Sequence, residues 1–285
     1  MGTVGPRYVD TTVGRIHAVA YEGGEPIVLL HQGLRSGESF RRLAPLLAPG
    51  LATIAVDLPG CGGSDPAAGD VTVAQLAECV VCVLDDLGIE RAHLFGNHTG
   101  ATVAAEIAAG WPDRVDGLAL FGFALVTSEQ ERRSEVDNRV HELGQFLSVS
   151  ADGSHLSRWW SWLRLQVSFQ RFTAGIVPSD TYTDIELGFM TTCFTDLVRS
   201  AKTFTSIYRA VFEYEAVSRL PFVQAPTLAI DGTGPFEPKI VQRSEQLAAL
   251  IPDCEARTMV GEDGNLIWWK PEAIADVLAG FLNPR

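Results

Sequence analysis

The sequence predicts an α/β protein with a mostly parallel, doubly wound sheet and a helical insertion, and three observations carry that reading. Short apolar runs bounded by turn residues recur at wide spacing, each followed by a helical pattern. Their hydrophobicity is continuous rather than alternating, as strands covered by helices on both faces require. The strand-helix alternation also stops in the middle of the chain and resumes near its end.

Residues 11–21 alternate in polarity and are expected to form an antiparallel edge pair. The runs PIVLL (26–30), LATIAV (51–56) and AHLF (92–95) read as buried parallel strands. A helix over 73–87 opens at Thr72 with Gln75 three residues on, a capping box, and stops at Gly88. After 92–95, Gly96-Asn97-His98-Thr99-Gly100 leads into a small-residue helix over 101–110 that ends before Pro112, and 117–123 is another buried strand. Residues 124–220 carry many charges and clustered aromatics (Trp159, Trp160, Trp162, Phe169, Phe172) without a parallel-strand pattern, which predicts a helical cap. The core domain is then 1–123 with 221–285, closing through a strand at 227–231, a helix at 241–250, a strand at 256–260 and a helix at 271–282.

With 285 residues, 46% of them hydrophobic, the chain is long enough for one large α/β domain. A net charge of -13 leaves no basic surplus to neutralise phosphates, so neither nucleic acid nor an anionic membrane is an expected partner. A small-molecule substrate is expected instead, and a homodimer through the cap or a sheet edge is compatible with this fold class. Residues 1–10 lack the apolar run of a secretory signal, and no later run reaches membrane-spanning length, which points to the cytoplasm. Cys61, Cys79, Cys82, Cys193 and Cys254 are odd in number and scattered, as reduced thiols would be. Cys79 and Cys82 form a C-x-x-C inside an apolar helical run and read as core residues rather than a redox or zinc pair. No metal and no cofactor are expected.

Four segments come in a telling order: LLHQGLRSGESFRRLAPLL (29–47), DLPGCGGSD (57–65), FGNHTGATVAAEIAA (95–109) and KPEAIADVLAGFL (270–282). Together they resemble the α/β-hydrolase superfamily from about residue 16 to the end, with the cap matching in position and composition only. The resemblance implies a nucleophile in G-x-Nu-x-G on a sharp strand-to-helix turn, where side chains in place of the glycines would collide. Gly96 and Gly100 keep that pattern, yet the central residue is His98. The acid implied after strand 227–231 is missing from GTGPFEP (232–238), and the histidine implied near 264–266 is replaced by Asn265. The last histidine in the chain is His155, so a Ser-His-Asp apparatus in the usual chain order is excluded. Asp57 and Asp65 read as structural partners of their loop.

His98 heads a helix, where the dipole and partial burial disfavour imidazolium, so a mostly neutral ring near pH 7 is expected. It is the candidate base, nucleophile or donor. The backbone N–H of Thr99 and one from the Gln32–Gly33 turn are the candidate oxyanion hole. Candidate substrate contacts are His31, Asn97, Trp159, Trp160, Phe236, Glu237, Asn265 and Trp268. For several of these a structural role competes: His31 as a brace under its loop, Glu237 as a solvated loop glutamate, Trp268 and Trp269 as anchors of the last helix. The cap arginines Arg158, Arg164 and Arg171 are expected to face water rather than a substrate anion.

Three functions follow. The leading expectation is a cofactor-independent, lyase-like enzyme using acid/base chemistry at His98 on a small hydrophobic carbonyl compound. The second keeps hydrolysis, with His98 activating water or acting as nucleophile. The third is a ligand-binding relative without catalysis.

Overall fold

A computed structural model of the chain describes residues 3–48, 50–173, 175, 181–234, 237–260 and 262–282. In it β1 (Thr3–Thr11), β2 (Gly14–Tyr21), β3 (Glu25–Leu30), β4 (Leu51–Val56), β5 (Ala92–Asn97), β6 (Val115–Phe121), β7 (Thr227–Gly232) and β8 (Cys254–Met259) form one sheet. Their order is β1-β2-β4-β3-β5-β6-β7-β8. β1 and β2 pair antiparallel, as do β2 and β4, and every later neighbour is parallel.

Burial on both faces explains the continuous apolar runs. Along β3, Val28 and Leu30 join a core with Leu76, Val80, Val103 and Ile107 of the helices Val73–Asp86 and Thr99–Gly110. Ile27 and Leu29 point the other way, toward Ala44, Leu47, Ile274 and Leu278. Successive strand residues alternate between faces, so a strand clad on both sides must be apolar at every position. Thr72 and Gln75 make the reciprocal capping box at the start of Val73–Asp86, and Gly88 takes the left-handed conformation (φ 67°) that ends that helix.

The edge pair begins earlier than expected: its first strand is Thr3–Thr11, paired with Gly14–Tyr21. Gly5 and Pro6 conceal it in the sequence, but an edge strand tolerates a missing N–H and a bulge, and the register does shift between Thr3 and Gly5. The helix expected over 241–250 is shorter, Ser244–Ala248, after a 3₁₀ turn at Lys239–Val241. Between β6 and β7 the described residues form helices and turns, chiefly Ser154–Thr173, Asp184–Ser200 and Phe204–Glu213. Among the described residues, no helix is long and apolar enough to cross a membrane.

Parallel strands present the loops after β3, β5, β7 and β8 at one end of the sheet, where a ligand crevice forms in open α/β folds. His31, His98, Glu237 and Asn265 lie in those loops.

Candidate active site

His98 occupies a strained turn. Its φ of 50° and ψ of -109° are rare for a residue with a Cβ, and they aim the side chain out of the strand-to-helix corner. The two elbow glycines are sterically required. A Cβ on Gly96 would strike the Gly100 carbonyl across the turn, and one on Gly100 would strike the Leu30 carbonyl at the end of β3. The His98 N–H donates to Phe121 O (2.8 Å), tying the corner to β6.

Two further glycines make room for the imidazole. A Cβ on Gly122 would lie 2.8 Å from His98 Nε2, and one on Gly264 would lie 2.5 Å from the same atom. The ring therefore occupies the space beside residue 264, the region where the resemblance places a triad histidine, but reaches it from the elbow. His98 Nε2 lies 3.2 Å from Glu237 Oε1. Since the carboxylate accepts, Nε2 carries the proton and Nδ1 is left with its lone pair in the neutral ring.

Glu237 is not a solvated loop glutamate. It is 7% exposed, and Oε1 accepts from the Gly264 N–H as well as from His98. The loop folds it inward because Gln242 Nε2 also donates to its carbonyl (2.7 Å). Oε2 is buried with no hydrogen-bond partner among the described residues. A second buried acid, Asp263, lines the same cleft and accepts from the Asn265 N–H (2.8 Å). Sequence reasoning passed over Asp263, although its place next to the missing histidine was a usable signal. Asp231, at the end of β7, turns away and accepts from the Ser244 N–H (2.8 Å).

This electrostatic setting corrects the expectation of a mostly neutral His98. Burial pushes its pKa down, but the Glu237 carboxylate, aided by Asp263, outweighs burial and holds the pKa above the ordinary 6.5. Burial pushes Glu237 up in turn, yet His98 and the Gly264 N–H hold it below the usual carboxylate range. Asp263 is lifted by burial and by the charge of Glu237.

The cleft over His98 has a volume of about 320 Å³ and is lined by Gln32, Gly33, Leu34, Arg35, Glu237, Asp263, Gly264 and Asn265, with Trp162, Leu165 and Gln166 from the helix Ser154–Thr173. An amide chain runs along its floor: Asn97 Nδ2 donates to Gln32 Oε1 (3.2 Å) and Gly264 O (3.2 Å), and Gln32 Nε2 donates to Asn265 Oδ1 (3.3 Å). Asn97 is buried under this chain rather than open to a substrate.

Several other expected contacts lie elsewhere. His31 is fully buried, and both ring nitrogens serve its own loop: Nδ1 donates to Gln32 O (2.8 Å) and Nε2 accepts from the Leu58 N–H (3.0 Å). Trp159 packs inside the helical segment and donates to Phe146 O (2.9 Å), while Trp160 packs edge-on against Phe194. The helical repeat explains the misassignment: Trp159, Leu163 and Val167 form the inward stripe, and Trp162, Leu165 and Gln166 lie on the cleft side. Trp268 is buried against Phe189, and Arg41 stacks on its ring 4.8 Å from the centroid, so it anchors the turn before the last helix instead of facing His98. Phe236 lies outside the described residues. Among the cap arginines, Arg158 binds the Phe146 and Ser148 carbonyls and Arg164 binds Tyr182 Oη. Arg171 does not face water: it is buried in a two-pronged pair with Glu186 (2.6 and 2.7 Å). Asp57 braces its loop as expected, accepting from the Gly37 N–H (2.6 Å) and the Gly63 N–H (2.8 Å).

The crevice, the elbow and the sheet order together define the α/β-hydrolase fold, and residues 25–145 match the family model of that fold. The chain is 40% identical over 106 residues to a 2-hydroxy-6-oxononadienedioate/2-hydroxy-6-oxononatrienedioate hydrolase of Pseudomonas putida, a match covering 35% of this chain and 37% of that relative. It is 36% identical over 116 residues to the dihydrolipoyllysine-residue acetyltransferase component of an acetoin cleaving system of Cupriavidus necator, covering 40% of this chain and 31% of the relative. The chain thus spans only about a third of the length of these curated relatives. Solved structures superpose over nearly the whole chain. A hydrolase from Pseudomonas aeruginosa PA01 gives a TM-score of 0.76 at 18% identity, covering 98% of this chain and 99% of that one. The enol-lactonase of Burkholderia xenovorans LB400 gives 0.71 at 18% identity, covering 97% and 99%. The Pseudomonas putida relative is a hydrolase, and that overturns the lyase-like expectation.

Proposed function

We propose that the protein is a hydrolase of small acyl compounds in which the His98–Glu237 pair activates water. The observation that carries the reading is the hydrogen bond from His98 Nε2 to the buried Glu237 carboxylate, which fixes the tautomer and leaves Nδ1 as the basic atom. Among the described residues Nδ1 has no hydrogen-bond partner, and about a quarter of the His98 side chain (24%) is open to the cleft.

In this reading water donates its proton to Nδ1 as its oxygen attacks the substrate carbonyl. Glu237 stabilises the imidazolium that forms. The oxyanion is received by the Thr99 amide, one of the first-turn N–H groups that a helix leaves without an internal partner, and by an amide of the Gln32–Gly33 turn. The tetrahedral intermediate then expels its leaving group, which takes the proton from Nδ1, and the base is restored. The hydrolases among the relatives support water as the co-substrate, and the histidine in place of a serine at the elbow supports a direct attack.

Rapid-mixing kinetics with p-nitrophenyl butyrate test this reading. Water activation gives linear release of nitrophenol from the first turnover. A burst equal to the enzyme concentration would mean that an acyl group accumulates on the protein, and would replace this mechanism with a covalent one.

A further inference from the structure

Arg35 is 4% exposed and lines the His98 cleft. Its one hydrogen bond among the described residues runs from Nη1 to the Leu34 carbonyl (3.1 Å). Among the described residues no carboxylate comes within ion-pair distance of it, whereas Arg171, also buried, is paired with Glu186. The guanidinium lies instead near two aromatic rings, 5.9 Å from the centroid of Trp162 and 5.7 Å from that of Phe189. The buried acid that feels its charge, Asp196, is bonded to Ser36 Oγ (3.1 Å), and burial pushes Asp196 up to about 7. That acid makes no hydrogen bond to the guanidinium among the described residues.

An arginine buried without a paired anion is costly, and aromatic stacking offsets only part of the cost. The guanidinium fork matches a planar carboxylate with two parallel N–H donors. The same cleft holds Glu237 and Asp263, whose charge would repel a doubly charged phosphate about twice as strongly as a single carboxylate. We infer that Arg35 anchors a carboxylate carried by the substrate, with Trp162 beside it and His98 acting on a separate acyl carbon of the same molecule. This rests on the hydrolase reading for the acyl carbon, while the carboxylate site itself stands on the geometry of Arg35.

Binding is measured first, by calorimetry on the wild-type protein with butyrate, hexanoate and octanoate against their primary amides. The acids are expected to bind about 10- to 100-fold more tightly, as for a hydrogen bond to a charged group. Arg35→Met removes the difference and Arg35→Lys keeps part of it. Equal binding of acid and amide, or no binding of the acids, overturns the proposal without requiring any variant to fold. Turnover of mono-p-nitrophenyl glutarate against its methyl ester then separates a carboxylate on the substrate from one on the product. Arg35→Met is expected to lower that preference ratio by a similar factor; an unchanged ratio overturns the substrate assignment. If neither ester is turned over, the hydrolase reading fails, and the acid-amide comparison still decides the carboxylate site.

Discussion

His98 combines two conditions that rarely coincide, a left-handed backbone and an imidazole whose pKa is held above 6.5 by a buried carboxylate against the effect of its own burial. Two consequences can be measured. In the proposed mechanism the neutral ring is the base, so kcat/KM rises with pH through an apparent pKa above 6.5. Glu237→Gln removes the charge that raises it, so the limb moves to lower pH while the rate falls, because the imidazolium loses its partner. A pH profile of both proteins checks this; an unmoved limb would show that His98 is not the titrating group. The second consequence is thermodynamic. The folded pKa of His98 is raised, so its contribution to stability is fully present below 6.5 and is lost as pH rises through the folded value. Glu237 is lowered, so its contribution is present above the ordinary glutamate pKa of 4.5 and is lost as pH falls through the folded value. The stability difference between wild type and His98→Ala in urea titrations is expected to be largest between those limits and to shrink, without vanishing, as pH rises through the folded His98 value.

At the scale of elements, four glycines build the elbow and the space for its ring. Gly100→Ala drives a methyl into the Leu30 carbonyl, and overpacking of this kind costs about 1–3 kcal/mol, readable as a lowered urea midpoint. Gly264→Ala tests function instead. Its methyl would fall 2.5 Å from His98 Nε2 and 2.7 Å from Gln32 Oε1, displacing the ring from Glu237. It is expected to reduce kcat more than it reduces stability, whereas intact turnover would show that the ring position is not needed. The motif around His98 was legible because steric rules fix those glycines. Glu237 was harder to read, since its burial depends on the Gly264 amide and the elbow ring, which lie 27 and 139 residues away in sequence.

Across the whole molecule, the sheet was legible where both faces are buried, because a two-sided strand must be apolar throughout, as β3 is. The first strand was not, since an edge position permits the Gly5-Pro6 pair that reads as a loop. The cleft was legible only in part. Gln32, Gly33, His98 and Asn265 line one cleft, but the helix Ser154–Thr173 turns Trp162 to it and Trp159 away, a choice set by packing against distant segments. Arg35 was hidden for the same reason, because the absence of a carboxylate beside it among the described residues arises only in the folded chain.

The central claim is that the elbow histidine runs a hydrolysis. Its most direct test is the rate of p-nitrophenyl butyrate hydrolysis by wild type and His98→Ala at matched stability and above the His98 titration. Loss of general-base catalysis is expected to lower kcat/KM about 10²- to 10⁴-fold. Equal rates in the two proteins would contradict the account and leave the strained turn, its glycines and Glu237 as a fold feature without a catalytic role.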